Sequence, residues 1–242
     1  MRTNYILEIA VDTLPSAHEA HRGGAGRLEL CSALSTGGLT PNIRLLQAVK
    51  QWIQLPAFVI IRPREGDFVY SRQEIDYMKS EMELAMEYGA DGFVLGALNE
   101  NGEIHVRHTK ELVQHCAPLP VTFHRAFDCT RNLSQSLEAV IDCGCKRLLT
   151  SGGGHVVADK RDVVLALHEQ AKGRIKIIPG GGITPDNFKE VFHPELDEYH
   201  MSGQTPMTSP LTSDLFRMDY KETSHTNVAS VVEQLNALTH AH

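Results

Sequence analysis

Eight apolar segments of strand length, each followed by a segment with helical periodicity, constrain this chain more than any other feature. The strand-like segments span residues 5–11, 27–31, 57–61, 92–95, 121–127, 147–150, 174–178 and 198–202. Eight strand-then-helix units in one chain of 242 residues predict an α/β fold, namely a single TIM-type (β/α)8 barrel with parallel strands. We therefore expect one domain over residues 1–242.

One segment, at about 203–226, breaks the alternation. It is rich in Ser, Thr, Met and Pro, and it is longer than an ordinary connection between a strand and a helix. We expect a long loop there, followed by a last helix at about 227–238.

The charge balance is acidic. With 30 acidic and 23 basic residues the formal net charge is −7, which repels nucleic-acid backbones and anionic membranes, so we predict neither partner. The first residues enter a strand directly, without the apolar core of a secretory signal. Five cysteines, an odd number, favour reduced thiols, and we expect a cytoplasmic protein.

Strand alternation places several ionisable side chains inside the barrel or at strand exits. The interior positions are Glu8, Glu29, Arg62, Thr122, His124, His200 and Ser202, and Arg64, Arg125 and Asp128 lie just beyond strand ends. The predicted catalytic acids and bases are Glu8, Glu29, His124 and Asp128. The alternative is a buried salt-bridge cluster, since an isolated interior charge is costly without a partner.

Glycine runs follow the sixth and seventh strands, at 151–154 and 180–182. Glycine lets backbone amides approach an anion, and late barrel loops often hold phosphate. Tight turns alone are the alternative. The predicted substrate-binding set is Arg62, Arg64, Arg125, Ser151, Gly152, Gly180, Gly181, His200 and Ser202.

Cys31 is an inward-facing thiol in the second strand. Thiolates select soft ions such as Cu(I), so we predict a metal site formed by Cys31 with His124 and His200. The alternative is that Cys31 fills space as a small apolar side chain.

Six motifs resemble the CutC family of copper-homeostasis proteins. They are RLELC with GGLTP at 27–41, IRPREGDF at 61–68, TFHRAFD at 122–128, LTSG at 149–152, PGGG at 179–182 and EYH at 198–200. The resemblance runs over residues 4–203 and implies a cytoplasmic TIM-type barrel that forms homo-oligomers and binds or handles Cu(I). Many relatives carry Cys where this chain has Ala10, so a second thiolate beside Cys31 is missing.

Two functions follow from these patterns. The first is a cytoplasmic copper-homeostasis protein of the CutC type that binds Cu(I). The second is an enzyme acting on a small anionic metabolite, bearing phosphate or carboxylate, at the C-terminal face of the barrel. A ligand sensor without catalysis is a third reading, because a barrel pocket can bind without turnover.

Overall fold

The computed structural model describes residues 5–208 and 219–240, and eight parallel strands within them form a barrel. The strands are β1 (Ile6–Val11), β2 (Arg27–Leu30), β3 (Ala57–Ile60), β4 (Gly92–Leu95), β5 (Val121–Phe123), β6 (Arg147–Thr150), β7 (Lys176–Pro179) and β8 (Glu198–Met201). The helices are α1 (Leu14–Arg22), α2 (Ile43–Trp52), α3 (Arg72–Glu87), α4 (Val106–His115), α5 (Leu133–Asp142), α6 (Arg161–Ala171), α7 (Phe188–Val191) and α8 (His225–His240). The predicted TIM-type (β/α)8 fold is confirmed.

The barrel is nearly closed. Its ladders run in the order β7-β6-β5-β4-β3-β2-β1-β8, and β7 meets β8 through a bridge between Gly180 and His200. In the register of β1, Glu8 lies level with Arg27 of β2 and with His200 of β8. Neighbouring strands thus place these three side chains in one layer of the interior.

The main apolar core lies between the strands and the helices. Leu7, Ile9 and Val11 of β1 are buried in it, as strand parity predicts. Polar caps fix the helix starts: Thr13 begins α1, and Ser71 with Glu74 forms a capping box at α3. The outer face of the sheet therefore stabilises the fold, and the inner face is left for other side chains.

The fifth strand is shorter than predicted. It ends at Phe123, and Arg125–Cys129 form a 3₁₀ helix. The Nδ1 atom of His124 accepts a hydrogen bond from the amide of Ala126 at 3.3 Å, and such side-chain caps compete with strand pairing. The expectation of a strand through residue 127 was wrong, and the turn brings Arg125 back over the barrel end.

The expected long loop at about 203–226 was also wrong in its described part. Two strands, β9 (Gln204–Thr208) and β10 (Asp219–Thr223), pair as an antiparallel hairpin, and residues 209–218 lie outside the described residues. The amide of Thr223 donates to Ser16 Oγ of α1 at 3.2 Å. Thr and aromatic residues favour strands, and the last helix begins at His225 rather than at about 227.

The interior at the N-terminal end of the strands is ionic. Arg27 is 2% exposed and donates to both Glu8 and Glu198. Arg147 Nε donates to Glu198 at 3.2 Å. The guanidinium carbons of Arg27 and Arg147 lie 4.9 and 4.8 Å from the centroid of the Phe58 ring. Apolar side chains usually fill this part of a barrel, so here the floor of the interior depends on charge pairing.

We expect Arg27→Met to lower the free energy of unfolding by about 3 to 5 kcal/mol, because it leaves Glu8 and Glu198 buried without their cation. Arg72→Met is the matched control. Arg72 pairs with Asp76 and Glu111 on the surface, where ion pairs contribute about 0 to 1 kcal/mol. Urea unfolding at neutral pH measures both losses, and equal losses would contradict the importance of the ionic floor.

Candidate functional site

A cavity of about 320 Å³ opens at the carboxyl ends of the strands. Its polar lining residues are Glu29, Thr36, Arg62, His124, Arg125, His200 and Ser202, and the loop after β7 adds Gly181. Ile60, Phe68 and Leu149 supply apolar wall. The structure therefore gathers predicted site residues from β2 to β8 into one place, at the barrel end that carries active sites in this fold.

Three ionisable side chains, Glu8, Glu29 and His200, form one group at the base of this cavity. His200 Nδ1 lies 2.7 Å from Glu8 Oε1, and His200 Nε2 lies 3.8 Å from Glu29 Oε1. Glu8 is fully buried and does not line the cavity. It supports His200 from below, whereas Glu29 and His200 reach the cavity itself.

Their surroundings shift the pKa values of Glu8 and Glu29 in opposite directions. Burial alone would raise the pKa of Glu8, but Arg27 and His200 lower that pKa to about 2. Burial raises the pKa of Glu29 to about 7, with the charge of Glu8 adding to the rise. Against burial, Glu29 and Glu8 raise the pKa of His200. Glu8 is therefore a fixed anion, while Glu29 exchanges its proton near neutral pH.

Arg62 is a buried cation held by main-chain oxygens. Its Nη1 atom donates to Thr36 O at 2.9 Å and Gly38 O at 3.2 Å, and Nη2 donates to Gly66 O at 3.2 Å. The guanidinium carbon lies 4.8 Å from the Phe68 ring centroid. The neutral Tyr70 hydroxyl lies beside the guanidinium, Nε has no partner that meets hydrogen-bond geometry, and no carboxylate in the described residues pairs with Arg62. The arrangement holds a positive charge in place and leaves it without a counter-ion.

His124 is a neutral hydrogen-bond donor. Burial lowers its pKa to about 3, and the charge of Arg62 acts in the same direction. Since Nδ1 accepts from Ala126, the proton of the neutral ring lies on Nε2. Nε2 is buried and has no hydrogen-bond partner, and His124 lines the cavity.

Asp128 occupies the glycine loop after β6. Its carboxylate accepts from the amides of Ser151 and Gly153 at 3.0 and 3.1 Å and from the Ser151 hydroxyl at 2.8 Å. Arg125 Nε donates to the same carboxylate at 2.9 Å. A side chain of the protein thus fills the anion cradle that this loop offers, and Asp128 is outside the cavity lining.

Several other predicted residues have structural partners instead of a place in the cavity. Ser151, Gly152 and Gly180 lie in the loops behind its wall and are not among its lining residues. Arg64 is also outside that lining and donates to Glu74 at 2.5 Å, Asp67 at 3.0 Å and Val69 O at 2.8 Å. It therefore fixes the start of α3 rather than a ligand.

Cys31 packs in a small apolar cluster with Phe58, Ile60 and Val94. Its Sγ lies 3.6 Å from Val11 O. Burial, with the charges of Glu29 and Asp12, raises the pKa of the thiol. Cys31 joins no group of three ligand atoms within 4.8 Å among the described residues, where Glu8, Glu29 and His200 form such a group. These are oxygen and nitrogen donors, which suit harder cations than Cu(I).

Arg27, Glu198 and Arg147 were not predicted from the sequence, although they form the buried ion pairs at the N-terminal end of the barrel. Strand parity could have identified two of them, because Arg27 lies on the same face of its strand as Glu29, and Glu198 on the same face as His200. Phe68 was missed because it lies in the loop after β3, outside any strand pattern.

Fold and cavity define a (β/α)8-barrel protein with its candidate site at the C-terminal face. The model of the CutC family matches residues 5–205, and the chain belongs to this family, as the motifs predicted.

Known CutC proteins are similar to this chain in sequence and in structure. The copper homeostasis protein cutC homolog of Mus musculus is 47% identical over 206 residues, which cover 85% of this chain and 76% of the relative. The family protein CutC of Vibrio parahaemolyticus is 42% identical over 209 residues, 85% of each chain. The solved structure of CutC from Streptococcus agalactiae superposes with a TM-score of 0.77 at 28% identity, covering 82% of this chain and 98% of that one.

A more distant likeness concerns the fold alone. Thiamine phosphate pyrophosphorylase from Pyrococcus furiosus has a TM-score of 0.61 at 15% identity.

In the described ranges, every helix falls short of the length and apolar character that a bilayer crossing needs.

The raised pKa of Glu29 makes stability depend on pH. The folded protein keeps this proton up to about pH 7, whereas the unfolded chain releases it near 4.5, so stability falls as pH rises through that window. Between pH 5 and pH 8 we expect wild type to lose about 2 to 3 kcal/mol of unfolding free energy relative to Glu29→Gln. Urea unfolding at both pH values tests this. Glu65→Gln, at an exposed site, should follow wild type, and a parallel curve for Glu29→Gln would contradict the assignment.

Proposed function

We propose that this protein binds a small anionic metabolite in the barrel cavity and transfers a proton to or from it through Glu29. One observation carries the proposal: Glu29 Oε2, Arg62 Nε and His124 Nε2 are buried polar atoms without partners, and all three residues line the same cavity. Unpaired buried polar groups destabilise a fold. A ligand with an anionic group and a polar oxygen would satisfy them together.

Arg62 is the proposed anion anchor. Its contacts to Thr36, Gly38 and Gly66 are to neutral carbonyl oxygens, so its charge is oriented but not neutralised. Charge-assisted hydrogen bonds to carboxylate or phosphate are the strongest that a guanidinium forms. The anion would therefore bind beside Arg62.

Glu29 is the proposed acid or base. Its pKa of about 7 suits proton transfer in both directions at neutral pH. In the base direction the Glu29 carboxylate takes a proton from a C–H bond next to a carbonyl group, and the electron pair moves to the carbonyl oxygen. The N–H at His124 Nε2 would donate to that oxygen as its charge develops. Glu29 and Glu8 raise the pKa of His200, and the charge of His200 stabilises the Glu29 carboxylate.

Copper is the second candidate, because relatives are named for copper homeostasis. The sequence predicts a Cu(I) site with Cys31, His124 and His200 as ligands. The surroundings of Cys31 do not fit that ion, since the thiol lies in an apolar cluster and Ala10 supplies no second sulfur. We therefore propose that this cavity binds a small molecule rather than Cu(I).

We also infer a cytoplasmic location. All five cysteines lie in the described residues and are free thiols, which fits a reducing compartment. The expectation of a homo-oligomer stays a prediction.

We expect Arg62→Lys to weaken anion binding by about tenfold or more, because lysine keeps the charge and loses the fixed planar donors. Calorimetry and ligand-induced thermal shifts with inorganic phosphate, sulfate and acetate measure the change. Arg64→Lys is the matched control, since Arg64 is two positions away in the sequence and outside the cavity lining. No anion binding to wild type, or equal losses in both variants, would contradict the proposal.

Cu(I) uptake tests the second candidate. We expect wild type and Cys31→Ser to compete equally weakly with a Cu(I) chelator, because Cys31 has no second soft donor beside it. A Cys143→Ser, Cys145→Ser double variant is the control for other buried thiols. Tight uptake by wild type that Cys31→Ser abolishes and the double variant keeps would restore the copper site.

A further inference from the structure

Arg125 presents a second guanidinium to the cavity. Nε is held by Asp128 at 2.9 Å, and Nη2 donates to Ser151 Oγ at 2.9 Å and Gly154 O at 3.1 Å. Nη1 makes no hydrogen bond within the described residues, and Arg125 lines the cavity. Two of its three nitrogens thus fix the orientation of the group, and the third remains free for a ligand.

The loop after β7 shapes the space around this free nitrogen. Gly181 has φ +112°, and a Cβ built there would lie 3.1 Å from the guanidinium carbon and 3.2 Å from Nη1 of Arg125. A larger residue would therefore push the guanidinium away. The glycine therefore keeps the guanidinium close to the loop, beside the cavity that Arg125 and Gly181 both line.

The two cations lie on different sides of the cavity. Arg62 follows β3, whereas Gly181 follows β7, and these strands are four positions apart in the eight-stranded order, which places them across the barrel from each other. Ile60 and Leu149 form apolar wall, and Glu29 and His200 line the same cavity. The glycine loop after β6 is already filled by Asp128, so it does not compete for an external anion.

We propose that the ligand is a short dianionic acid with one anionic group on Arg62 and a second on Arg125 beside Gly181. This rests on the proposed function and adds the substrate class to it. Each group is a carboxylate or a phosphate, since both accept the donors of a guanidinium. A short carbon chain between them would pass along Ile60 and Leu149, with its reacting carbon near Glu29.

A chain-length series tests the second anchor. Malonate, succinate and glutarate are titrated by calorimetry against propionate, butyrate and pentanoate, which have the same carbon counts and one carboxylate. We expect at least one diacid to bind about tenfold or more tightly than its monoacid, since a second charge-assisted contact adds to the first. Phosphonoacetate and 3-phosphonopropionate distinguish phosphate-like from carboxylate preference, and tighter binding of either class supports the proposal.

Variants assign the advantage to Arg125. We expect Arg125→Gln to remove the preference for the diacid, while Arg62→Gln weakens both ligands. Arg125→Lys, which keeps the charge, should retain part of the preference if Arg125→Gln disturbs the loop. Arg131→Gln, at an exposed site, should change nothing. Melting curves confirm that each variant is folded.

The outcomes separate the two proposals. Equal binding of diacids and monoacids to wild type, or a preference that survives Arg125→Gln in folded protein, overturns the second anchor and leaves the anion site at Arg62 standing. If no acid, phosphonate or inorganic phosphate binds wild type, the proposed function itself fails.

Discussion

The buried pairing of Arg27 with Glu8 and Glu198 is the interaction on which the candidate site depends. Arg27 lowers the pKa of the buried Glu8, and the ionised Glu8 contacts His200 and raises its pKa. The charge of His200 in turn limits how far burial raises the pKa of Glu29. Without the cation at the base of the barrel, the acid–base properties at its mouth would change, although Arg27 does not line the cavity.

The cavity and the family name point to different chemistry. Copper(I) favours sulfur donors, whereas the described cavity presents carboxylate, imidazole and guanidinium groups. Two arginines with uncommitted nitrogens suit an anion, and a carboxyl that titrates near neutral pH suits proton transfer. The chain belongs to a family with members named for copper homeostasis, and its own cavity side chains support the proposed binding of a small anion.

The fold was predictable because eight strand-then-helix alternations leave few alternatives, and parity along the strands sorted Glu29, Arg62 and His200 correctly into the interior. The rest depends on three-dimensional contacts. That Asp128 would fill a glycine loop follows from a 3₁₀ turn that only the fold reveals. Cys31 shares its parity with Glu29, yet packing against Phe58 and Ile60 encloses it. The hairpin after β8 was missed because its composition resembles that of a loop.

The junction between β7 and β8 gives the cavity an asymmetry. All other neighbouring strands in the described barrel share a continuous ladder, while these two meet at the bridge between Gly180 and His200. Local opening of a sheet is easiest where the fewest hydrogen bonds must break. His200 therefore belongs both to the charged group with Glu8 and Glu29 and to the seam where β7 and β8 meet at a single bridge. Any widening of that seam would move the His200 imidazole and the Gly181 loop together. It would therefore change both the access of a ligand to the cavity and the charges around that ligand.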